Sequence, residues 1–185
     1  MNAVKIYPSL DTFPPIVHSD EWESPIPLDN GINTAGTEDS VFVLPDAQTF
    51  YFVFIPDINS SPEEQLMGGM AGIHKTSQVD GVWNEPERVY LQNSGELSLD
   101  GCPFVQRDVI WFCSARQGNH RGMDIWTAVL HDGKWSDWKN AGEQLNVDYQ
   151  IGEMHLSKDE QELYFHSDRL GGMGGRDIWM SVKLN

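Results

Sequence analysis

Long apolar runs, cationic clusters and cysteines are what this chain has least of. No stretch of about 18 apolar residues occurs, which excludes a transmembrane helix. The 12 Lys and Arg are outnumbered by 28 Asp and Glu, for a formal charge of −16. Affinity for nucleic acid or an anionic bilayer grows from Lys and Arg clusters, so neither is an expected partner. The two cysteines, Cys102 and Cys113, are too few for a disulfide framework, and no CxxC or Cys/His spacing suggests zinc. They flank PFVQRDVIWF, which reads as one hairpin, and either two buried thiols or one disulfide fits. The N-terminus MNAVKIYPSLDTFPP has one Lys and no apolar h-region, so no secretory signal is read there and the cytoplasm is the default location.

Helical periodicity is also nearly missing. The single candidate is SPEEQLMGGM (Ser61 to Met70), a helical turn or a loop. No G-x-S-x-G, H-E-x-x-H or Cys/His dyad spacing appears, and the 6 His do not fall at metal-ligand spacing. The glycine-rich stretch LGGMGGRDIW lacks the Lys and Ser or Thr that a P-loop places after its last Gly; Arg176 and Asp177 stand there. The segment after it, DIWMSVKL, is aromatic and β-branched, so a hairpin is expected rather than a phosphate cradle at a helix N-terminus.

What the chain does have is strand signal. At 185 residues, with 39% hydrophobic and 11% aromatic content and 7 Trp, one domain with a real core is expected. Two stretches match in register. VIWFCSARQGNHRGMDIW (Val109 to Trp126) and LYFHSDRLGGMGGRDIW (Leu163 to Trp179) share an aromatic strand, Ser-x-Arg, a Gly-containing turn and Asp-Ile-Trp. A divergent third is TFYFVFIPD followed by GIHKTSQ, with Gly72-Ile73-His74 in place of Asp-Ile-Trp. Each aromatic strand follows a shorter one: EDSVFVLPDAQ, DGCPFVQRD and GEMHLSKDEQ, two of them ending in a turn signal, PDAQ or KDEQ. A Trp-bearing fourth strand follows in two copies, in GVWNEPERVYL and GKWSDWKNAGEQLN.

Four antiparallel strands repeating about every 50–60 residues is the spacing of β-propeller blades. On L-Y-F-x-S-x-R and D-I-W, the sequence resembles the TolB-type, WD-like propeller repeats over residues 33–185. The resemblance implies an all-β chain with an N-terminal segment (1–33) and three blades at 34–92, 93–146 and 147–185, the last without a fourth strand. The segment DEWESPIPLDNGIN looks like an orphan fourth strand that would pair with the last blade and protect its edge. Propellers have about four to eight blades. Three blades are therefore expected to be completed by a second copy, to be part of a five-bladed protein, or to stack in an open arc.

In a propeller the first strand of each blade lines the channel, and here these strands begin with Glu38 and Asp39, Asp100 and Glu153. Several carboxylates around one axis repel, so a shared proton or a hard cation such as calcium or sodium is expected between them; no other cofactor or metal is read. Five-bladed arabinanase-like glycosidases use carboxylates from separate blades. That resemblance implies Asp39 as general base, Asp100 as pKa modulator and Glu153 as acid, with His155 nearby. The plainer reading is that these acids bind backbone N–H groups at strand entry. Asp124 and Asp177 are expected to bind turn N–H groups, and Arg116 and Arg169 either to bind a ligand or to bridge strands and pair with those two aspartates. Most Trp fall on repeat positions and read as packing; Trp22 and Trp138 are the ones left for stacking on a sugar. The expected function is recognition of a carbohydrate or a protein partner at an acidic channel mouth, with glycoside hydrolysis as the alternative and a homodimer as the assembly.

Overall fold

Alternating apolar residues with short turn signals produce strands in the order the sequence pattern anticipates. The computed structural model describes residues 23–146 and 150–184. Strand outweighs helix by 48% to 7%, and all strand pairing is antiparallel. Sheet I contains β1 (Thr37–Val43), β2 (Thr49–Ile55), β3 (Gly72–Val79) and two short pieces, β4 (Val82–Trp83) and β5 (Glu87–Arg88), both paired to β3. Pro86 lies between those pieces and has no N–H to give the ladder, which accounts for the break. Sheet II is the meander β6 (Ser98–Gln106), β7 (Val109–Arg116), β8 (Asp124–His131) and β9 (Lys134–Asn140). Sheet III has β10 (Ile151–Leu156), β11 (Glu162–Ser167) and β12 (Asp177–Val182).

The connections follow from local chemistry. Asp80-Gly81 and Asp132-Gly133 join the third and fourth strands of sheets I and II with all four residues at positive φ, the twist that suits a two-residue hairpin. PDAQ and KDEQ form the same turn: Ala47 and Glu160 are left-handed, while Asp46 and Asp159 accept the N–H of Gln48 and Gln161. SPEEQLMGGM holds the helix α1 (Pro62–Gly68), started by a capping box between Ser61 and Glu64 and stopped by left-handed Gly69. A one-turn helix α2 (Glu143–Asn146) precedes sheet III. The Gly-rich loop returns to β12 with no helix, and the Asp177 carboxylate accepts the N–H groups of Met173 and Gly174. Gly172 must be glycine there, because a Cβ would lie 2.1 Å from Asp177 Oδ2.

The sheets stack face to face in chain order. Tyr51, Ile73, Val89 and Leu91 of sheet I and its exit segment bury against Val105, Ile110, Phe112 and Ala128 of sheet II. The other face of sheet II, with Phe104, Cys113 and Ile125, buries against Ile151, Met154, Leu163 and Phe165 of sheet III. Sheets I and III share no strand pairing among the described residues and meet at Phe42 of β1, which packs on the cluster between sheets II and III; no closed ring is formed.

Closure by an N-terminal strand is not what the described part of that segment does. Residues 23–33 form no strand, and Leu28 and Ile32 pack instead on Phe50, Phe52 and Trp83, covering the outer face of sheet I. Residues 20–22, including Trp22, lie outside the described residues. Among those described, β12 is hydrogen-bonded to β11 alone.

Two arginines lock the stack. The Arg116 guanidinium lies over the rings of Phe112 and Trp126, at 5.1 and 4.9 Å, and donates to Ser114 Oγ, Asp100 Oδ1 and the Leu91 carbonyl. Arg169 repeats this with Phe165, Trp179, Ser167 and the Leu145 carbonyl. The expected pairing of Arg116 with Asp124 is replaced by a 2.6 Å ion pair with Asp100, both side chains almost fully buried. Removing one partner of such a pair leaves an uncompensated buried charge, which costs about 3–5 kcal/mol. Asp100→Ala should therefore lower unfolding free energy in urea by that amount, and Asp100→Leu with Arg116→Met should lose clearly less than the two single variants added together.

Candidate binding face

The first strands β1, β6 and β10 lie side by side, and each carries the same defect. Pairing with the second strand slips between Asp39 and Phe42, between Gly101 and Phe104, and between Gly152 and His155. Inside each slip one non-glycine residue is left-handed: Ser40 (φ 52°), Cys102 (φ 50°) and Glu153 (φ 45°). Such a bulge re-aims the side chain at the cost of local strain. The three meet: Glu153 Oε1 accepts from Ser40 Oγ at 3.3 Å and from the Cys102 thiol at 3.5 Å. Two residues further on, the rings of Phe42, Phe104 and His155 form a row with centroids 4.9 and 4.7 Å apart. These rings open onto a cleft of about 730 Å³ that Asp46, Arg107 and Lys158 also line.

This register corrects the idea that the acids occupy one repeated position. Asp39 is equivalent to Gly101 and Gly152, Asp100 lies one residue earlier, and Glu153 is the bulged residue itself. The glycines have a reason. A Cβ on Gly101 would touch Val53 of sheet I at 3.6 Å, and one on Gly152 would come within 2.9 Å of His166 and 3.8 Å of Cys113. Here a first strand crosses the second strand of the preceding sheet, and sheet I, the first among the described residues, keeps a side chain.

The five acidic and histidine candidates separate accordingly. Asp100 is 3% exposed and holds Ser98, Ser114 and Arg116, so it does not face the cleft as a free carboxylate. Asp39 is exposed and accepts the Ser40 N–H, and Glu38 accepts the N–H and hydroxyl of Thr34. Glu153 and His155 are exposed on the shared face. Trp138 rests half-buried against the core between sheets I and II, as does Trp135, and all six described Trp are half-buried. Asp124 is wholly buried and accepts from His120 and Asn140. Among the described residues no three His, Cys, Asp or Glu side chains gather closely enough to hold a metal, and no helix is long and apolar enough to cross a membrane.

Sequence reading missed Ser40, Cys102, Phe42 and Phe104 as neighbours of Glu153 and His155. The available signal was a polar residue followed two positions later by a ring, in Ser40-Val41-Phe42, Cys102-Pro103-Phe104 and Glu153-Met154-His155.

Two histidines near these strands bind protons weakly. Burial lowers His74, a hydrogen bond to the Gly72 carbonyl opposes it, and Arg88 adds to the lowering. His166 is lowered by partial burial and by Arg176, against the pull of Glu153. A folded-state value below that of the unfolded chain means the stabilising contribution is complete above the ordinary histidine value of about 6.5 and is lost as pH falls through the folded value. The melting temperature should drop as pH falls below about 6.5, and His74→Gln should flatten that drop, the remaining slope belonging to His166. An unchanged slope would remove His74 from the account.

Comparison with known proteins yields neither a matching protein-family model nor a matching curated protein.

Proposed function

We propose that the chain is a β-propeller-type recognition module that binds a protein partner through a basic segment, at the face where β1, β6 and β10 converge. The observation that carries this reading is the meeting of three bulged strands at Ser40, Cys102 and Glu153, beside an aromatic-lined cleft. Polar groups from three separate sheets at one exposed place are characteristic of a binding mouth, since loop and strand-end positions on a rigid scaffold are where recognition residues sit. The propeller reading, in the TolB-type, WD-like manner, draws support from Asp-Ile-Trp and Ser-x-Arg holding the same register and contacts in sheets II and III.

Between the two expected partner classes, charge and aromatic placement favour protein. With −16 overall, and Asp39 and Glu153 exposed on the first strands, the field attracts cations beyond the Arg107 and Lys158 that line the cleft itself. A sugar needs an open ring face, whereas the described Trp are half-buried in packing and Phe104 is covered edge-on by Phe42. Against glycoside hydrolysis stands Asp100, whose buried carboxylate is engaged by the Arg116 ion pair and by Ser114.

Binding to Lys- and Arg-rich peptides, followed by fluorescence anisotropy, should weaken steeply with added salt. Asp39→Asn with Glu153→Gln should cost about tenfold in affinity. A glycan array that lights up and still does so for that double variant, or salt-insensitive peptide binding, would refute the reading.

The assembly follows from one face. Ile73 and Ile125 hold equivalent positions on β3 and β8 and are 0% exposed because the next sheet covers them; Ile178, at the same position on β12, is 83% exposed. Met180 and Val182 continue the open strip. A second copy supplying the missing cover is the homodimer proposed here. Light scattering after size exclusion should give twice the chain mass, and Ile178→Asp should give the single mass; a wild-type monomer at high micromolar concentration would rule the dimer out.

A further inference from the structure

The chain has only two cysteines, separated by eleven positions, and the fold brings them together. Cys113 on β7 pairs with Gly101, and the bulge at Cys102 turns its side chain to the same face, into the cluster between sheets II and III. Both side chains belong to that cluster, Cys102 partly exposed and Cys113 buried within it. Neither is oxidised in this structure. Their surroundings differ. Cys113 is 0% exposed and donates to the Ile151 carbonyl, while Cys102 is partly exposed at the binding face and touches Glu153.

We propose that Cys102 and Cys113 form a redox-active dithiol, with Cys102 the thiol that reacts with a small-molecule disulfide from solution and Cys113 the resolving thiol that closes an intramolecular disulfide. The Cys102 thiolate attacks one sulfur of the small disulfide; that S–S bond breaks, one small thiolate leaves and takes up the proton Cys102 gave up. Cys113, whose proton passes to solvent, then attacks Cys102 Sγ, forming the Cys102–Cys113 bond and expelling the second small thiol. The protein dithiol is oxidised and one disulfide is reduced to two thiols.

Accessibility fixes the order of events, because only Cys102 can be reached from solution. The neighbouring Cys113 thiol lowers the Cys102 thiol against the opposing effect of burial, and the neighbouring Cys102 together with burial raises Cys113. That is the asymmetry an attacking and a resolving thiol need. Bond formation brings the sulfurs to about 2.05 Å, between β6 and β7, which are already paired at Gly101 and Cys113. Closure also takes the Cys102 hydrogen away from Glu153 Oε1, leaving Ser40 as the remaining side-chain donor to that atom. This last consequence rests on the proposed recognition face; the thiol chemistry does not.

The test uses the full chain in buffers of graded reduced and oxidised glutathione, with trapping of free thiols and intact mass measurement. The two thiols should disappear together, with loss of two hydrogens and no lasting glutathione adduct, while Cys113→Ser should stop at one glutathione on Cys102. Wild type accumulating the glutathione adduct, or both thiols staying free at oxidising poise in a folded chain, would overturn the proposal. Cys102→Ser should leave Cys113 unmodified unless urea is added, and modification of Cys113 without urea would equally count against it. Basic-peptide binding by the reduced and oxidised forms then reports separately on the face: equal binding would discard the link to recognition while leaving the dithiol in place.

Discussion

Burial of one sheet's face by the next sheet's back is the constraint on which the remaining structure depends. A meander of three or four short strands with apolar residues on both faces leaves that surface in water until another sheet covers it. Here Ile73 and Ile125 are fully covered because a following sheet lies on them, and their neighbours Phe112 and Phe165 supply the covering surface. Close approach then dictates local sequence. The first strand of sheets II and III crosses the second strand of the sheet before it, and Gly101 and Gly152 lie at those crossings, where a Cβ would reach Val53 and Cys113 at contact distance and, at 152, press on His166. Sheet I is the first sheet among the described residues, and its equivalent position carries Asp39. Its outer face still needs a cover, and Leu28 and Ile32 provide one.

The arginine clamps convert this stacking into a fixed geometry. A guanidinium between two rings is held by dispersion and cation–π attraction, and its remaining donors reach the chain where it enters the sheet, at the Leu91 and Leu145 carbonyls. Sheet I does this differently. Pro56 stands where Arg116 and Arg169 stand, and Arg88 arrives from β5 instead, its Nη2 3.3 Å from where a Cβ of Gly72 would be. Gly72 occupies the register of Asp124 and Asp177. The divergence of Gly72-Ile73-His74 from Asp-Ile-Trp is thus an exchange of position: removing the carboxylate makes room for a cation coming from another strand.

Much of this was legible because it is local. Aromatic strands, Ser-x-Arg, Asp-Ile-Trp, and the PDAQ and KDEQ turns each encode their own geometry within a few residues, and the Asp-Gly pairs at 80–81 and 132–133 announce their hairpins equally well. The candidate site was harder for a definite reason. A bulge inserts one residue, so a period-two reading places Asp39, Asp100 and Glu153 in one rung when they occupy three different ones. No single-strand pattern reveals that slip, since it is defined by the partner strand. The N-terminal segment misleads for the opposite reason: Glu23-Ser24-Pro25 looks locally like the end of a Trp-bearing strand, but what positions residues 28–32 is the uncovered aromatic face of Phe50 and Phe52.

Acidity, finally, divides into two kinds of work according to dielectric. Asp100 and Asp124 sit where water is excluded; both Asp100 oxygens accept from side chains, and Asp124 takes its donors on Oδ2, so their charge is directed within the protein. Asp39 and Glu153 face solvent, where screening over about 8 Å confines their influence to whatever lies against the three first strands. A partner feels only the second kind. Neutralising the exposed pair should therefore change association with little change in folding, whereas neutralising Asp100 should do the reverse, and the contrast separates a recognition role for the carboxylates from a structural one whichever basic segment binds.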